Sequence, residues 1–275
     1  MPSKWDHVRN QFIVRGNTGL KQTKAIAKSD DWKLMAQRFQ KIHKFDGMGT
    51  LVPPIQAAEK ELLEAALAIQ EQIKDSVYSQ GPIKSLGTST VKVIKDYGGD
   101  YSDLKDAVRG TLVVPSTDLV PVAFQKIKEY FIPRRGLGVK SHKEKTKEKF
   151  DGYSDFTIFV ILPPVSHIGE LQINLPGIIL AKQGDETFKK MFGQDILNET
   201  KMEMKNLETG LGHGFYEVLR VGAARGDDET KMKNLSFNYY KFFRESSFRN
   251  NNANKTALEK EIAWAKAKYP GQFNH

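Results

Sequence analysis

With 275 residues, the chain is long enough to bury a sizeable core, as one domain with appendages or as two small domains. It contains no cysteine, which excludes a disulfide framework, a thiolate zinc site and a thiol nucleophile. Forty-two Lys and Arg against 33 Asp and Glu leave a formal charge of +9; this favours a polyanionic partner such as a nucleotide, RNA or a membrane surface, without choosing among them.

No apolar run approaches the length of a membrane span, and the opening MPSKWDHVRNQF lacks the apolar middle of a signal peptide, so the chain reads as soluble. The N-terminal part reads as helical. In DDWKLMAQRFQKIHKF, from Asp30, the residues Trp32, Met35, Phe39 and Ile42 make one stripe behind an Asp cap. A second amphipathic helix starts at Pro53-Pro54 and carries Leu62, Leu63, Ala66, Ile69 and Ile73 at three- and four-residue steps. From about residue 81 the texture changes to short apolar runs separated by turns. GPIKSLGTSTVKVIK sets Lys84, Thr88 and Lys92 four residues apart, a row of cation, hydroxyl and cation on one helical face that fits a triphosphate or plain solvent.

Strands follow at GTLVVPS (Gly110 to Ser116), DFTIFVILPP (Asp155 to Pro164) and GELQINL (Gly169 to Leu175), with a helix over Val122 to Phe131 between the first two. The charge run RRGLGVKSHKEKTKEKFDGY, holding Arg134, Arg135, Lys140, Lys143, Lys145, Lys147 and Lys149, reads as a flexible lid over phosphates or as a solvated loop. Beyond Gly184 the chain is helical again, and NNNANK (Asn250 to Lys255) marks a short linker. This order predicts an α/β (α+β) layer fold, a mixed sheet with helices packed on it. It divides into an N-terminal helical region (1–80), a core (81–182) and a C-terminal helical region (183–275).

No P-loop, no GxGxxG in a βαβ setting, no HExxH and no GxSxG elbow is present, which removes the commonest nucleotide, zinc and serine-hydrolase signatures. Two carboxylates remain in suggestive places. Asp106 precedes the first strand and Glu170 lies on a strand face shared with Gln172 and Asn174, opposite the apolar Leu171, Ile173 and Leu175. If neighbouring strands bring them together they make two oxygen ligands for a hard cation, Mg²⁺ shared with substrate phosphates. The plain alternative is an Asp capping a turn and a Glu on a wet sheet face. Tyr153, directly after Gly152, either stacks on a nucleobase or begins a strand at the surface. His213, Tyr216, Glu217 and Arg220 share a helical face and read first as a polar network packed on the sheet.

Over roughly residues 80 to 180 these motifs, in this order and spacing, resemble the synthetase domain of the RelA/SpoT family, the alarmone synthetases and their toxin relatives. Lys84, Thr88 and Lys92 match the family's opening Lys, hydroxyl and Lys; Asp106 in DLKDAVRGTLVV matches its metal ligand; Lys149 with Gly152 and Tyr153 matches its Lys and Gly-Tyr pair; Glu170 and Gln172 match its Glu-x-Gln-x-Arg strand. Other positions depart: Pro82, Thr111, Asp151, Thr157 and Asn174 stand where the family usually has Arg, Arg, Asn, His and Arg, with Arg109 near enough to replace the second of these. The chemistry-bearing positions match while the base-reading ones do not, which fits a divergent member with another acceptor. No His-Asp cluster of the family's hydrolase half is visible in residues 1 to 80.

The resemblance implies a nucleotidyltransferase-like synthetase core that transfers the β,γ-pyrophosphate of ATP to the 3′-hydroxyl of a purine nucleotide. Asp106 and Glu170 would hold Mg²⁺, with Glu170 the general base. Lys84, Thr88, Lys92, Arg109, Arg134, Arg135 and Lys149 would hold phosphates, and Tyr153 and Gln172 the acceptor. It also implies a toxin or effector with a cognate antitoxin or immunity protein, acting in a cytoplasm, its own or that of a target cell. Two other readings stand beside it: a toxin that pyrophosphorylates the 3′ end of tRNA, and a catalytically silent nucleotide- or RNA-binding module.

Overall fold

The computed structural model describes residues 48–97, 104–116, 118–131, 138–144, 152–153, 155–162 and 167–273. The helix expected from Asp30 and the residues expected to hold phosphates, Arg134, Arg135 and Lys149, lie outside the described residues. Among the described residues no helix is long and apolar enough to cross a membrane.

The first described helix, α1 (Met48–Gln70), begins ahead of the Pro53-Pro54 pair at which the pattern places its start. Its stripe is the expected one: Leu62 and Ile69 are completely buried and Ala66 nearly so, while Leu63 turns to solvent at 37% exposure. Each fully buried Leu or Ile contributes about 1.5–3 kcal/mol relative to exposure, enough to fix which face of α1 meets the sheet.

Five strands form one sheet in the order β1-β2-β5-β4-β3. They are β1 (Val77–Gln80), β2 (Val108–Val113), β3 (Gly138–Glu144), β4 (Phe156–Leu162) and β5 (His167–Asn174). Only β2 and β5 run parallel; the other neighbours are antiparallel. The mixed sheet expected for an α+β layer fold is therefore present, with two strands more than the sequence pattern gives. β3 corrects the reading of the charge run as loop: its middle is an edge strand, where lysines commonly discourage edge-to-edge pairing. β1 lies just ahead of residue 81, so the expected division at 80/81 falls between two elements of the same sheet.

Two helices cross between the strands, α2 (Leu86–Tyr97) and α3 (Leu119–Phe131). One sheet face is apolar. Val108, Leu112, Ile158, Leu171 and Ile173 pack there against Leu62 and Ile69 of α1 and Phe124 and Phe131 of α3. The period-two pattern of β5 thus does what it predicts: Leu171 and Ile173 are buried, and Glu170 and Gln172 point the other way and are only partly covered.

The other face is roofed by the C-terminal helices: α4 (Pro176–Phe192), α5 (Gln194–Glu203), α6 (Gly212–Arg220), α7 (Asp227–Arg244), α8 (Ser246–Asn250) and α9 (Asn252–Lys268). Their own apolar core includes Phe188, Phe215, Leu235, Phe242 and Phe243, all at most 1% exposed. Only Asn251 separates α8 from α9, and its side chain accepts a hydrogen bond from Ala253 N, so the expected linker is a capped helix junction. α4 runs through the expected 182/183 division and is kinked at Gly184, where φ is 78° and ψ −174°. Gly210, also at positive φ, packs there so closely that a Cβ on it would lie 3.0 Å from the Gly184 Cα. Tyr239 of α7 ties the same corner together: its buried hydroxyl lies 3.1 Å from Ala181 O and 3.0 Å from Glu208 O and accepts from Leu211 N at 3.3 Å.

Candidate active site

The polar face of β2 and β5 is the floor of the site. In the parallel ladder Arg109 is level with Glu170 and Thr111 with Gln172, and across the antiparallel ladder Thr157 is level with Gln172. Same-face neighbours in such a ladder lie within side-chain reach, so one basic, one acidic and one amide side chain share a small area. Gln172 Nε2 donates to Glu170 Oε1 at 2.6 Å.

Asp106 sits two residues before β2. The segment Gly81–Lys84 continues alongside it: Gly81 N donates to Arg109 O at 2.9 Å and Lys84 N to Ala107 O at 3.0 Å. Lys84 therefore precedes α2 rather than lying on it, and the expected row of Lys84, Thr88 and Lys92 on one helix face becomes a convergence of a loop lysine and a helix lysine. Both end on one oxygen, with Lys84 Nζ at 2.5 Å and Lys92 Nζ at 2.7 Å from Asp106 Oδ2. Thr88 stands apart, exposed and bonded to Ser85 Oγ at 2.7 Å.

The electrostatics of this knot follow from burial and pairing. Desolvation acts to raise the Asp106 carboxyl, but the two ammonium groups, Lys84 foremost, outweigh it and hold the carboxyl below its ordinary value. Desolvation lowers Lys84, and Asp106 only partly offsets it; for Lys92 the hydrogen bond and charge of Asp106 prevail over burial and raise it. The carboxylate is thus ionised near neutrality. Its second oxygen, Oδ1, is buried and receives no hydrogen bond from the described residues. An orphaned carboxylate oxygen of this kind suits a hard cation. No group of three or more His, Asp or Glu side chains gathers for a metal among the described residues, so a cation here would be of the kind that takes its remaining ligands from phosphates and water. The orphaned oxygen of Asp106 fits Mg²⁺ on those terms.

A cavity of about 580 Å³ opens over the floor. Arg109, Thr111, Glu170 and Gln172 line it from below, Ser79, Gln80 and Pro82 from the β1 edge, and Lys182, Gln183, Thr187, Lys190 and His213 from α4 and α6. Three cations, Arg109, Lys182 and Lys190, face one carboxylate, so the cavity favours an anion. The Asp106 knot does not line it, but Arg109 links the two: it lines the cavity, and its charge helps to depress Lys84.

Tyr153 is 7% exposed and does not line the cavity. Its ring meets Tyr240 edge-on at 5.6 Å, and the ammonium of Lys182 lies 4.6 Å from its centroid. Its hydroxyl accepts from Lys182 Nζ at 3.1 Å and Asn174 Nδ2 at 3.0 Å, and lies 3.5 Å from Gln172 Oε1. Burial, reinforced by the nearby Asp155, pushes the phenol well above its ordinary value. The α6 network is exposed rather than packed on the sheet: Arg220 clasps Glu217 with Nε and Nη2, and His213 is 3.9 Å from Glu217 and reaches the cavity rim.

The structure brings Lys84, Lys92 and Asp106 together, and Arg109, Glu170 and Gln172 together; it leaves Thr88 outside both groups. Sequence reasoning missed Lys182, Lys190, Ser79 and Gln80. A signal was available for Lys190 alone, in the polar residues Gln183, Thr187 and Lys190 at helical spacing.

No protein-family model matches the chain. It is 26% identical, over 169 residues, to the (p)ppApp synthetase toxin Tas1 of Pseudomonas aeruginosa strain UCBPP-PA14, an alignment covering 62% of this chain and 36% of Tas1. This chain thus spans about a third of that relative's length. The crystal structure of the Type VI effector Tas1 in complex with its immunity protein superposes with a TM-score of 0.56 at 23% identity, covering 76% of this chain and 97% of that one. Small alarmone synthetase 1 of Bacillus subtilis superposes with a TM-score of 0.41 at 14% identity, over 78% and 95% of the two chains.

Proposed function

We infer that this chain, a divergent RelA/SpoT-type synthetase domain, is an ATP-dependent pyrophosphotransferase acting on the 3′-hydroxyl of a purine nucleotide. The observation that carries the reading is the pairing of Lys84 and Lys92 on a single oxygen of Asp106, beside a cationic cavity floored by Arg109 and Glu170.

The acceptor oxygen attacks the β-phosphorus of ATP, the bond from that phosphorus to the oxygen bridging toward the α-phosphorus breaks, and AMP leaves. Glu170 takes the proton of the attacking hydroxyl; the Gln172 amide occupies Oε1 and leaves Oε2 for that role. Lys84 and Lys92 exchange their bonds to Asp106 for bonds to the donor phosphates, and Arg109 neutralises charge between donor and acceptor. Thr88 lies in the first turn of α2, within the same phosphate-holding stretch, and Arg134, Arg135 and Lys149 complete the phosphate ligands. Tyr153 and Gln172 meet the acceptor. Mg²⁺ held by Asp106 and Glu170 would supply charge neutralisation at the transferring phosphates.

The likeness to Tas1 supports a place for this domain in a toxin that acts in a cytoplasm rich in nucleotides, after delivery to a target cell, and that a cognate immunity protein restrains.

The test is incubation of the purified chain with Mg²⁺ and ATP labelled at its γ-phosphate, with GDP or GTP, ADP or ATP, or bulk tRNA, and Glu170→Gln as control. Label on a nucleotide, lost in the variant, supports the reading and names the acceptor. Label on tRNA alone replaces it with the RNA-modifying toxin, and no transfer by a folded chain that binds ATP leaves a silent binding module.

A further inference from the structure

One lysine would neutralise Asp106; the second makes the knot cationic. Lys84 Nζ at 2.5 Å and Lys92 Nζ at 2.7 Å share a single oxygen of one carboxylate, and the charge of Arg109 reaches Lys84 as well. Neither lysine arrives by chance. Lys84 is delivered from the segment before α2 by main-chain pairing, its N donating to Ala107 O at 3.0 Å beside the carboxylate, and Lys92 comes from the second turn of α2. The other carboxylate oxygen, Oδ1, is buried and takes no hydrogen bond from the described residues, so by donor type it suits a hard cation. Charge opposes what donor type favours. The two oxygens belong to one carboxylate, so an ion on Oδ1 stands a few ångströms from both ammonium groups. With the Lys84 and Asp106 side chains only 10% and 13% exposed, little water lies between to screen that repulsion.

We propose that the knot is an electrostatic lock on the metal ligand: Lys84 and Lys92 close Asp106 to a free divalent cation and open it only when the phosphates of a donor nucleotide take up their charges. The proposal rests on the pyrophosphotransferase reading and deepens it, making cation and donor depend on each other at this site. A triphosphate brings several negative charges, which turn the field at Oδ1 from repulsive to attractive, and its oxygens accept from the two ammonium groups in place of Oδ2. Linkage makes the effect reciprocal: whatever factor the donor adds to the affinity for the cation, the cation adds to the affinity for the donor. When the phosphates leave, the lysines return to Asp106 and the cation is expelled. A divalent ion that arrives alone therefore finds the ligand occupied, and the site fills only when there is a donor to act on.

The test is titration of the nucleotide-free full chain with Mn²⁺ alone, a hard divalent ion that favours oxygen ligands, with free Mn²⁺ read by electron paramagnetic resonance. Native chain, Lys92→Met and the double variant Lys92→Met with Asp106→Asn are compared. Removing a lysine is expected to strengthen Mn²⁺ binding by at least about tenfold, and the added Asp106→Asn to abolish that gain. A merely structural role for Lys92 predicts no such gain, since loosening a fold does not build a metal site. Thermal melts identify a variant that fails to fold, and Lys84→Met, with the same expected gain, then carries the comparison. Mn²⁺ affinity in a folded Lys92→Met equal to native overturns the lock, and so does a gain that survives Asp106→Asn. Because no nucleotide is present, either result leaves the transfer reaction standing. Absence of pyrophosphate transfer beside an intact Mn²⁺ gain removes the reaction and with it the donor's part in the lock.

Discussion

Arg109 and Glu170 occupy matched positions on adjacent parallel strands, so a guanidinium and a carboxylate point from β2 and β5 into the same cavity. Strand pairing is responsible, because level residues of neighbouring strands face the same way. In the proposed pyrophosphotransfer Glu170 would take the acceptor's proton and Arg109 would neutralise a phosphate. Glu170→Gln preserves the side chain's volume and its capacity to accept from Gln172, but removes the base. Turnover is expected to fall by about 10²–10⁴-fold, with a melting temperature close to that of the native chain and nucleotide binding retained. Steady-state rates beside a thermal melt check this; a rate within about threefold of native removes Glu170 from the mechanism.

Asp106→Asn should be costly to the fold as well as to the reaction. The Asp106 and Lys84 side chains are only 13% and 10% exposed, so losing the negative charge leaves two facing ammonium groups with little water to screen them. About 2–3 kcal/mol of unfolding free energy is expected to disappear at neutral pH, measured by urea denaturation. The pH dependence has a definite sign. The folded carboxyl titrates below its ordinary value of 3.8, so its stabilisation is complete above that pH and is lost as pH falls through the folded value. The gap between native and variant chains should therefore hold steady down to about pH 4 and narrow below it. A gap that persists undiminished in acid would mean that the ion pair is not its source.

How much of this was legible in the sequence depends on range. The alternation in GELQINL gave a buried face and a polar face because strand geometry alone sets that period, and β2, β4 and α3 announced themselves by local pattern in the same way. β1 did not: VYSQ is four residues long and half-buried throughout, so it has no alternation to read. β3 was hidden by its lysines, which suit an edge strand as well as a loop. Lys84 and Lys92 could be seen eight residues apart on one helix face, but not that Lys84 lies before the helix and reaches Asp106 from the side. Lys182 was invisible because nothing within the α4 sequence says that its helix roofs the sheet above Tyr153. Contacts between distant elements are set by packing, and local periodicity carries no record of them.

Gly184→Ala tests whether the α4 kink shapes the site. The backbone there lies at φ 78°, where an L side chain is strained, and an added Cβ would come within 3.2 Å of the Gly210 Cα. About 1–3 kcal/mol of stability should be lost on chemical denaturation. Because Gly210, Lys182 and Lys190 all line the cavity on this side, nucleotide affinity should weaken as well. Affinity equal to native in the folded variant would separate the kink from the site.

Ionic strength separates the free-nucleotide acceptor from an RNA acceptor without any mutation. A nucleotide held in the cavity meets at most Arg109, Lys182 and Lys190 among the described cations, and sites this local lose only modest affinity to salt. An RNA tracked along its backbone by the chain's excess of +9 would engage several phosphates more, each adding to the salt slope. Raising salt from about 50 to about 200 mM should weaken nucleotide binding by less than about tenfold, whereas an acceptor RNA contacting six or more phosphates would lose about a thousandfold. Transfer rates at subsaturating acceptor, measured across that range, read the difference directly. A steep loss with nucleotide as acceptor would mean that cations beyond the cavity bind it, and would move the acceptor site away from the cavity.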